Sequence, residues 1–347
     1  MKRCPYSVLF VTLVATLVVA LVASVTLGRY PIGLGELVGI LGQKGVSLLE
    51  KLGLRGLEVE QVWTSTQASL LLYHRIPRVI LACLVGGCLA GAGAAYQGVF
   101  QNPMASPDLL GASSGAAFGA ALAILLGGSG ASVTLSAFCF SLLTVALVMF
   151  VGNRARGRRV VGLILAGIMI GSLVSSGTSF IKLVADPNDQ LPAITYWLMG
   201  SLNGTAPKDV LFALFPMAVG IVGLCLLRWR INLLTLGDEE ARTMGVNVKE
   251  LRGTVIVCAT LITAASVSAS GMIGWVGLVI PHLGRKLVGD NYKHLMPASM
   301  LLGAIFLLLV DDVSRNLLAV EIPIGILTSF LGAPFFLYLI SREGELL

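Results

Sequence analysis

The sequence predicts an all-α polytopic membrane protein with about ten transmembrane helices, and three observations carry that expectation. Of 347 residues, 56% are hydrophobic and only 12% are charged, whereas soluble domains hold roughly 25% charged residues. So little charge cannot coat a globular surface of this size. Apolar runs bounded by charges recur along the whole chain, several near the roughly 20 residues that a span needs. The mean hydropathy is +0.89. A soluble domain, a disordered chain and a small disulfide scaffold are thereby excluded. No tandem repeat of 20–50 residues is present, so residues 1–347 read as one transmembrane domain. The two halves share only the vague likeness that an inverted repeat would leave.

The elements follow in order. Lys2 and Arg3 precede an apolar run over 6–27. That run is longer than a signal-peptide core and has no Ala-x-Ala at its end, so it is read as a retained first span. An outer loop over about 28–76 follows. Further spans are expected near 78–99, 113–127, 133–152, 160–181, 210–227, 254–270, 273–284, 295–310 and 323–340. Gly87/Gly91, Gly111/Gly115/Gly119 and Gly167/Gly171 repeat at intervals of four, which places small residues on one helix face for close packing. The run from Gly271 to Pro281 is half-length. Short, broken spans are tolerated where they are buried in protein or line a cavity, making 271–284 a candidate pathway wall. With the N-terminus inside, 15 of the 24 Lys and Arg residues fall on the cytoplasmic side, as orientation by positive charge requires. Both termini are then cytoplasmic.

Few residues offer chemistry. The six cysteines lack a CxxC pair and the three histidines lack ligand spacing, so neither a disulfide framework nor a metal site is supported. A GxxxxGK(S/T) loop and an HExxH motif are both missing. Ser113 and Ser114 lie among packing glycines with no facing histidine, which argues against a nucleophile. Arg75 and Arg78 bracket a proline where the outer loop meets the second span. They either snorkel to the interface or dock an acidic partner. Residues 101–107 form a polar, proline-broken inner turn without Lys or Arg, as a turn at the mouth of a pathway would. A long inner loop over about 228–252 carries one short helix. Gly237 opens it, Asp238, Glu239 and Glu240 occupy the first turn where the helix dipole favours acid, Arg242 follows, and Gly245 suits a left-handed cap. It either packs on its own bundle or inserts into a cytoplasmic partner. Asp311, Asp312 and Arg315 mark either function at membrane depth or an ordinary i,i+4 pair.

These residues carry a resemblance. RIPR at 75–78, GAGAAYQGVFQNPMASPDLLGASSGA at 91–116, LGDEEARTMGVN at 236–247, GWVGLVIPH at 274–282 and the tail EIPIGILTSFLGAPFFLYLI resemble the FecCD-type permeases. These are membrane subunits of ABC importers for iron–siderophores, haem and cobalamin. The likeness runs from about residue 60 to the end. It implies a ten-helix subunit of the cytoplasmic membrane, embedded in lipid and working as a homodimer with the pathway on the two-fold axis. Two cytoplasmic ATPase subunits would carry ATP and Mg, and a substrate-binding protein would dock outside. The chain itself would be no enzyme, hold no cofactor and bind no nucleic acid.

Residue by residue, the resemblance implies that Arg75, Arg78 and Arg315 pair with glutamates of the binding protein. Asn102 and Met104 would form the inner gate. Gly237, Asp238, Glu239, Ala241, Arg242 and Gly245 would belong to the coupling helix that inserts into the ATPase. Arg158-Arg159-Val160-Val161 departs from the small polar residues some members carry beside the gate. The cargo expected first is an iron–siderophore, then cobalamin or haem, with oxyanions such as molybdate a minor branch. The alternative, an ion-coupled secondary transporter, wants buried acids mid-span. Residues 78–99 and 254–284 contain none.

Overall fold

The computed structural model describes residues 6–51, 61, 63–154 and 159–343. Lys2, Arg3, Arg156 and Arg158, counted above on the inner side, lie outside them. Each of the ten expected spans is a helix: α1 (Tyr6–Thr26), α4 (Ile76–Val99), α5 (Ala112–Leu125), α6 (Ala131–Gly152), α7 (Arg159–Val184), α9 (Pro207–Thr235), α11 (Val248–Ser270), α12 (Val276–Val288), α13 (Tyr292–Asn316) and α14 (Ile324–Glu343). Among the described residues, seven helices are long and apolar enough to cross a membrane. The apolar stretches of α5, α12 and α14 are shorter.

The remaining helices connect these spans. The segment read as the outer loop over 28–76 contains α2 (Leu34–Lys51) and α3 (Ser65–Leu70), neither of them expected. Four glycines inside α2 or at its start weaken its helical signal, but Leu37 and Ile40 are buried and the Trp63 ring lies against Gly39. Thr64 and Gln67 form a capping box, with Thr64 N–H donating to Gln67 Oε1 at 2.8 Å. From there α3 runs through one π turn (Leu71–Arg75) into α4. The short α8 (Gln190–Leu198) also had no sequence signal, whereas α10 (Asp238–Thr243) is the inner helix anticipated between Gly237 and Gly245.

α4 is the hub of the bundle, packed on α13, α11, α9 and α12. The most apolar window of the α3–α4 rod is 83% buried, against 22% for α7 and for α9. Glycine makes this density possible. A Cβ at Gly86 would overlap the Gly303 carbonyl of α13, and one at Gly93 would overlap the Gly277 carbonyl of α12. The close α4–α13 approach thus falls at Gly86, next to the expected Gly87, which with Gly91 faces Met300. By contrast α7 and α9 turn Met169, Leu173, Phe215 and Leu226 outward.

The half-length element is more enclosed than a pathway wall would be. α11 ends at Gly271 (φ +69°), residues 271–274 are non-helical, and Trp275 also adopts a positive φ before α12 begins. Val276, Gly277, Val279, Ile280, Pro281 and Gly284 are buried. Much of the candidate wall is therefore packed inside the bundle. Surrounding protein covers much of its broken backbone, as a non-helical stretch at membrane depth requires.

α9 sets the geometry of one end. Its 29 residues reach about 43 Å at 1.5 Å each, some 13 Å more than the roughly 30 Å hydrocarbon core. Arg228, Trp229 and Arg230 stand one to two turns before its end, the residue types that settle at an interface. α10 follows directly after this end of α9.

Candidate functional site at the two ends of the bundle

One end gathers the end of α1, the start of α4 and the end of α13. Arg78 donates from Nε and Nη2 to Asp311 Oδ1 at 3.0 and 2.9 Å, and from Nη1 to both carboxylate oxygens of Glu321 at 3.0 and 2.9 Å. Asp311 is 0% exposed and also lies 3.2 Å from Arg315 Nε. Arg315 Nη2 donates to Ser24 Oγ at 2.8 Å and to Asp312, whose carboxylate also accepts from the Ser24 hydroxyl at 2.7 Å. Arg75 donates to backbone instead. Its Nη1 bonds the carbonyls of Val25 and Thr26 at 2.8 and 3.1 Å, and Nη2 that of Tyr30.

All three arginines are buried. They do not snorkel as exposed side chains, and most of their donors are engaged within the chain. The reason is three-dimensional: Asp311 and Glu321 stand 233 and 243 positions from Arg78. Three cations and three acids cancel, and Arg75 uses the orphan carbonyls at the end of α1. Towards the same end, a cavity of about 630 Å³ opens between the α5–α6 turn, α8 and the end of α11, lined by Ser129, Gln190, Tyr196, Trp197, Asn203 and Ser270 among others.

At the other end stand the turn after α4 and helix α10. Asn102 and Met104 are exposed, and Asn102 Oδ1 accepts the Met104 N–H at 2.8 Å. Pro107–Leu110 then form a 3-10 turn before α5. Arg158, part of the departure beside the gate, lies outside the described residues, and Arg159 begins α7.

α10 has the expected limits. Gly237 (φ +120°) precedes it, and Gly245 (φ +78°) closes it. Gly245 N–H donates to the Arg242 carbonyl at 2.9 Å and Val246 N–H to that of Ala241 at 3.2 Å, the paired bonds of a Schellman cap. Ala241 is fully buried, and Asp238 is held by Arg252 of α11 at 2.6 Å. Glu239, Glu240 and Arg242 are exposed. Their side chains make no hydrogen bond or ion pair among the described residues. One face therefore docks on the bundle and the other is exposed.

Several residues of these ends gave no sequence signal: Glu321 and Ser24 as arginine partners, Arg252 as the anchor of α10, and Gln101. The last donates from Nε2 to the Leu234 carbonyl at 2.5 Å. A clamp beside it joins Arg285 of α12 to Gln97 at 2.5 Å and to the Tyr292 hydroxyl at 3.2 Å.

Known proteins share this architecture. The FecCD transport family model matches residues 16–342. The molybdate import system permease protein MolB of Haemophilus influenzae is 38% identical over 347 residues, covering 99% of each chain. An iron chelatin transport system permease protein of Helicobacter pylori is 43% identical over 278 residues, covering 80% of this chain and 84% of its own. A solved structure described as an inward-facing conformation of a metal-chelate type ABC transporter superposes with a TM-score of 0.83 at 37% identity, covering 96% of this chain and 99% of its own. Helix order, burial and sequence therefore converge, and the chain is a multi-pass membrane permease of the FecCD transport family.

Proposed function

We propose that this chain is the membrane subunit of an ATP-driven importer and works as a homodimer, with cytoplasmic ATPase subunits and an outer substrate-binding protein. The observation that carries the reading is α10. It is a capped helix anchored on one face by Ala241 and the Asp238–Arg252 pair. Its other face exposes Glu239, Glu240 and Arg242, which have no ion pair among the described residues. A helix of six residues is marginal alone, so its ordered exposed face makes sense as a surface for an ATPase groove. Gly237, Asp238, Glu239, Ala241, Arg242 and Gly245 would form that coupling element. Asn102 and Met104 would sit at the inner gate. ATP and Mg would be bound on the partner chains, and this chain would hold neither.

In this orientation both termini are cytoplasmic and the Arg78 end faces outward. Arg75, Arg78 and Arg315 then shape the docking face for the binding protein from beneath. The surface that meets the partner would come from exposed groups around them. The cargo proposed is a metal chelate, iron–siderophore first, cobalamin or haem next. The relative named for molybdate keeps an oxyanion as the competing cargo.

The test is reconstitution in vesicles with the ATPase and the binding protein encoded beside this chain. Uptake of whatever ligand that binding protein retains is expected, dependent on ATP and unaffected by collapsing ion gradients. Uptake by the chain alone, driven by a proton or sodium gradient, would establish the secondary transporter instead.

A further inference from the structure

Two helices of this chain end in the same cap. At the end of α10 the left-handed position is filled by Gly245. At the end of α4 the bonds are equivalent: Gln101 N–H donates to the Gly98 carbonyl at 3.4 Å and Asn102 N–H to that of Gln97 at 3.2 Å. Here the left-handed residue is Gln101, at φ +50°. Glycine is the usual occupant because it has no Cβ to crowd the carbonyl. An observed backbone outlier of this kind is a reason to look for function. What glycine could not supply is the side chain.

That side chain reaches the end of α9. The last carbonyls of a helix lack partners within it. In α9, Asn232 O accepts from Thr235 Oγ1 at 2.7 Å, and Leu233 O from Leu236 N–H at 3.4 Å. Leu234 O accepts from Gln101 Nε2 at 2.5 Å. Gln101 is thus a cap for two helices at once, ending α4 with its backbone and α9 with its amide. The residue after it is Asn102 of the gate turn, and Leu234 lies four residues before Asp238 of α10.

We propose that Gln101 is a positioning residue that transmits displacement of the coupling helix to the gate turn, through the hydrogen bond from its amide to the last turn of α9. This role rests on the gate and coupling assignments proposed above. A purely structural cap would be improved by glycine. A transmission link is broken by it.

The experiment uses the assembled transporter with spin labels at Met104→Cys in both copies, and reads the distance between them with and without a non-hydrolysable ATP analogue. The unsubstituted Gln101 background is expected to show a nucleotide-dependent shift. Gln101→Gly is expected to melt at the same or a higher temperature and to bind the analogue equally. Its shifted-to-unshifted ratio should nonetheless fall roughly three- to tenfold, the worth of one hydrogen bond. Gln101→Glu keeps the length and the backbone but replaces the donor with an acceptor, and should lose the shift likewise. Gln101→Lys restores a donor at a helix C-terminus and should restore the shift. A full shift in both Gln101→Gly and Gln101→Glu overturns the link. No shift in the Gln101 background overturns the gate assignment itself, and the link with it.

Discussion

The two ends of this bundle use charge in opposite ways. At the Arg78 end, Arg78 and Arg315 interlock with three acids, Arg75 caps the end of α1, and the central carboxylate of Asp311 is fully buried. At the α10 end, Asp238 is paired with Arg252, whereas Glu239, Glu240 and Arg242 are exposed on an ordered helix with no ion pair among the described residues. A chain with only 12% charged residues could be thought to place each charge where a partner touches it. Instead, only some of its charges look outward. The internally paired set holds α1, α4, α13 and the segment before α14 together, and the exposed set is available for association.

The contrast is sharpest for loss of a single buried partner. Arg78→Ala leaves Asp311 and Glu321 without their shared cation, and should cost about 3–5 kcal/mol of stability, the usual penalty for breaking a buried ion pair. Thermal unfolding in detergent would read it. A change below about 1 kcal/mol would mean that the network is a loose surface cluster. At the other end, Gly245→Ala places a Cβ at φ +78°, with a penalty of roughly 1–2 kcal/mol. Its cost should be confined to α10: hydrogen exchange would quicken over 238–246 and stay unchanged in α4. Uniform loss of protection would show that α10 is part of the core.

Smaller still should be the effect of Arg78→Met combined with Asp311→Leu. Replacing a buried pair by apolar residues of similar volume is often near neutral, so stability should return part of the way towards that of the parent, with Arg315 keeping Asp312 and Glu321 left without Arg78. If binding-protein association also persists, the arginine acts by shaping the face. If association is abolished in a well-folded double variant, Arg78 contacts the partner directly.

How much of this is readable beforehand follows from which physics each feature obeys. Most of the spans are legible because burial in hydrocarbon imposes a run length, which one sequence displays, and the shorter α5, α12 and α14 show as apolar runs between breaks. α10 is legible because a dipole, an acidic first turn and a terminal glycine are all local. α2 is hidden by its glycines, since its stability comes from Leu37, Ile40 and the Trp63–Gly39 contact. The internal pairing of Arg78 and Arg315 and the backbone bonds of Arg75 are hidden because their partners lie on other elements, and no local pattern announces Glu321. Gln101 is invisible for a different reason. Only its backbone conformation shows that it stands where a glycine would be easier.

That the α10 end is the partner-facing end is tested most directly by one paired measurement on Arg242→Glu. The unfolding temperature of the permease should stay unchanged, because an exposed, unpaired side chain contributes within about 0.5 kcal/mol. Retention of the ATPase by the purified variant should weaken about tenfold, with the salt dependence expected of an exposed charge contact. Wild-type ATPase retention by a folded Arg242→Glu permease would contradict the claim.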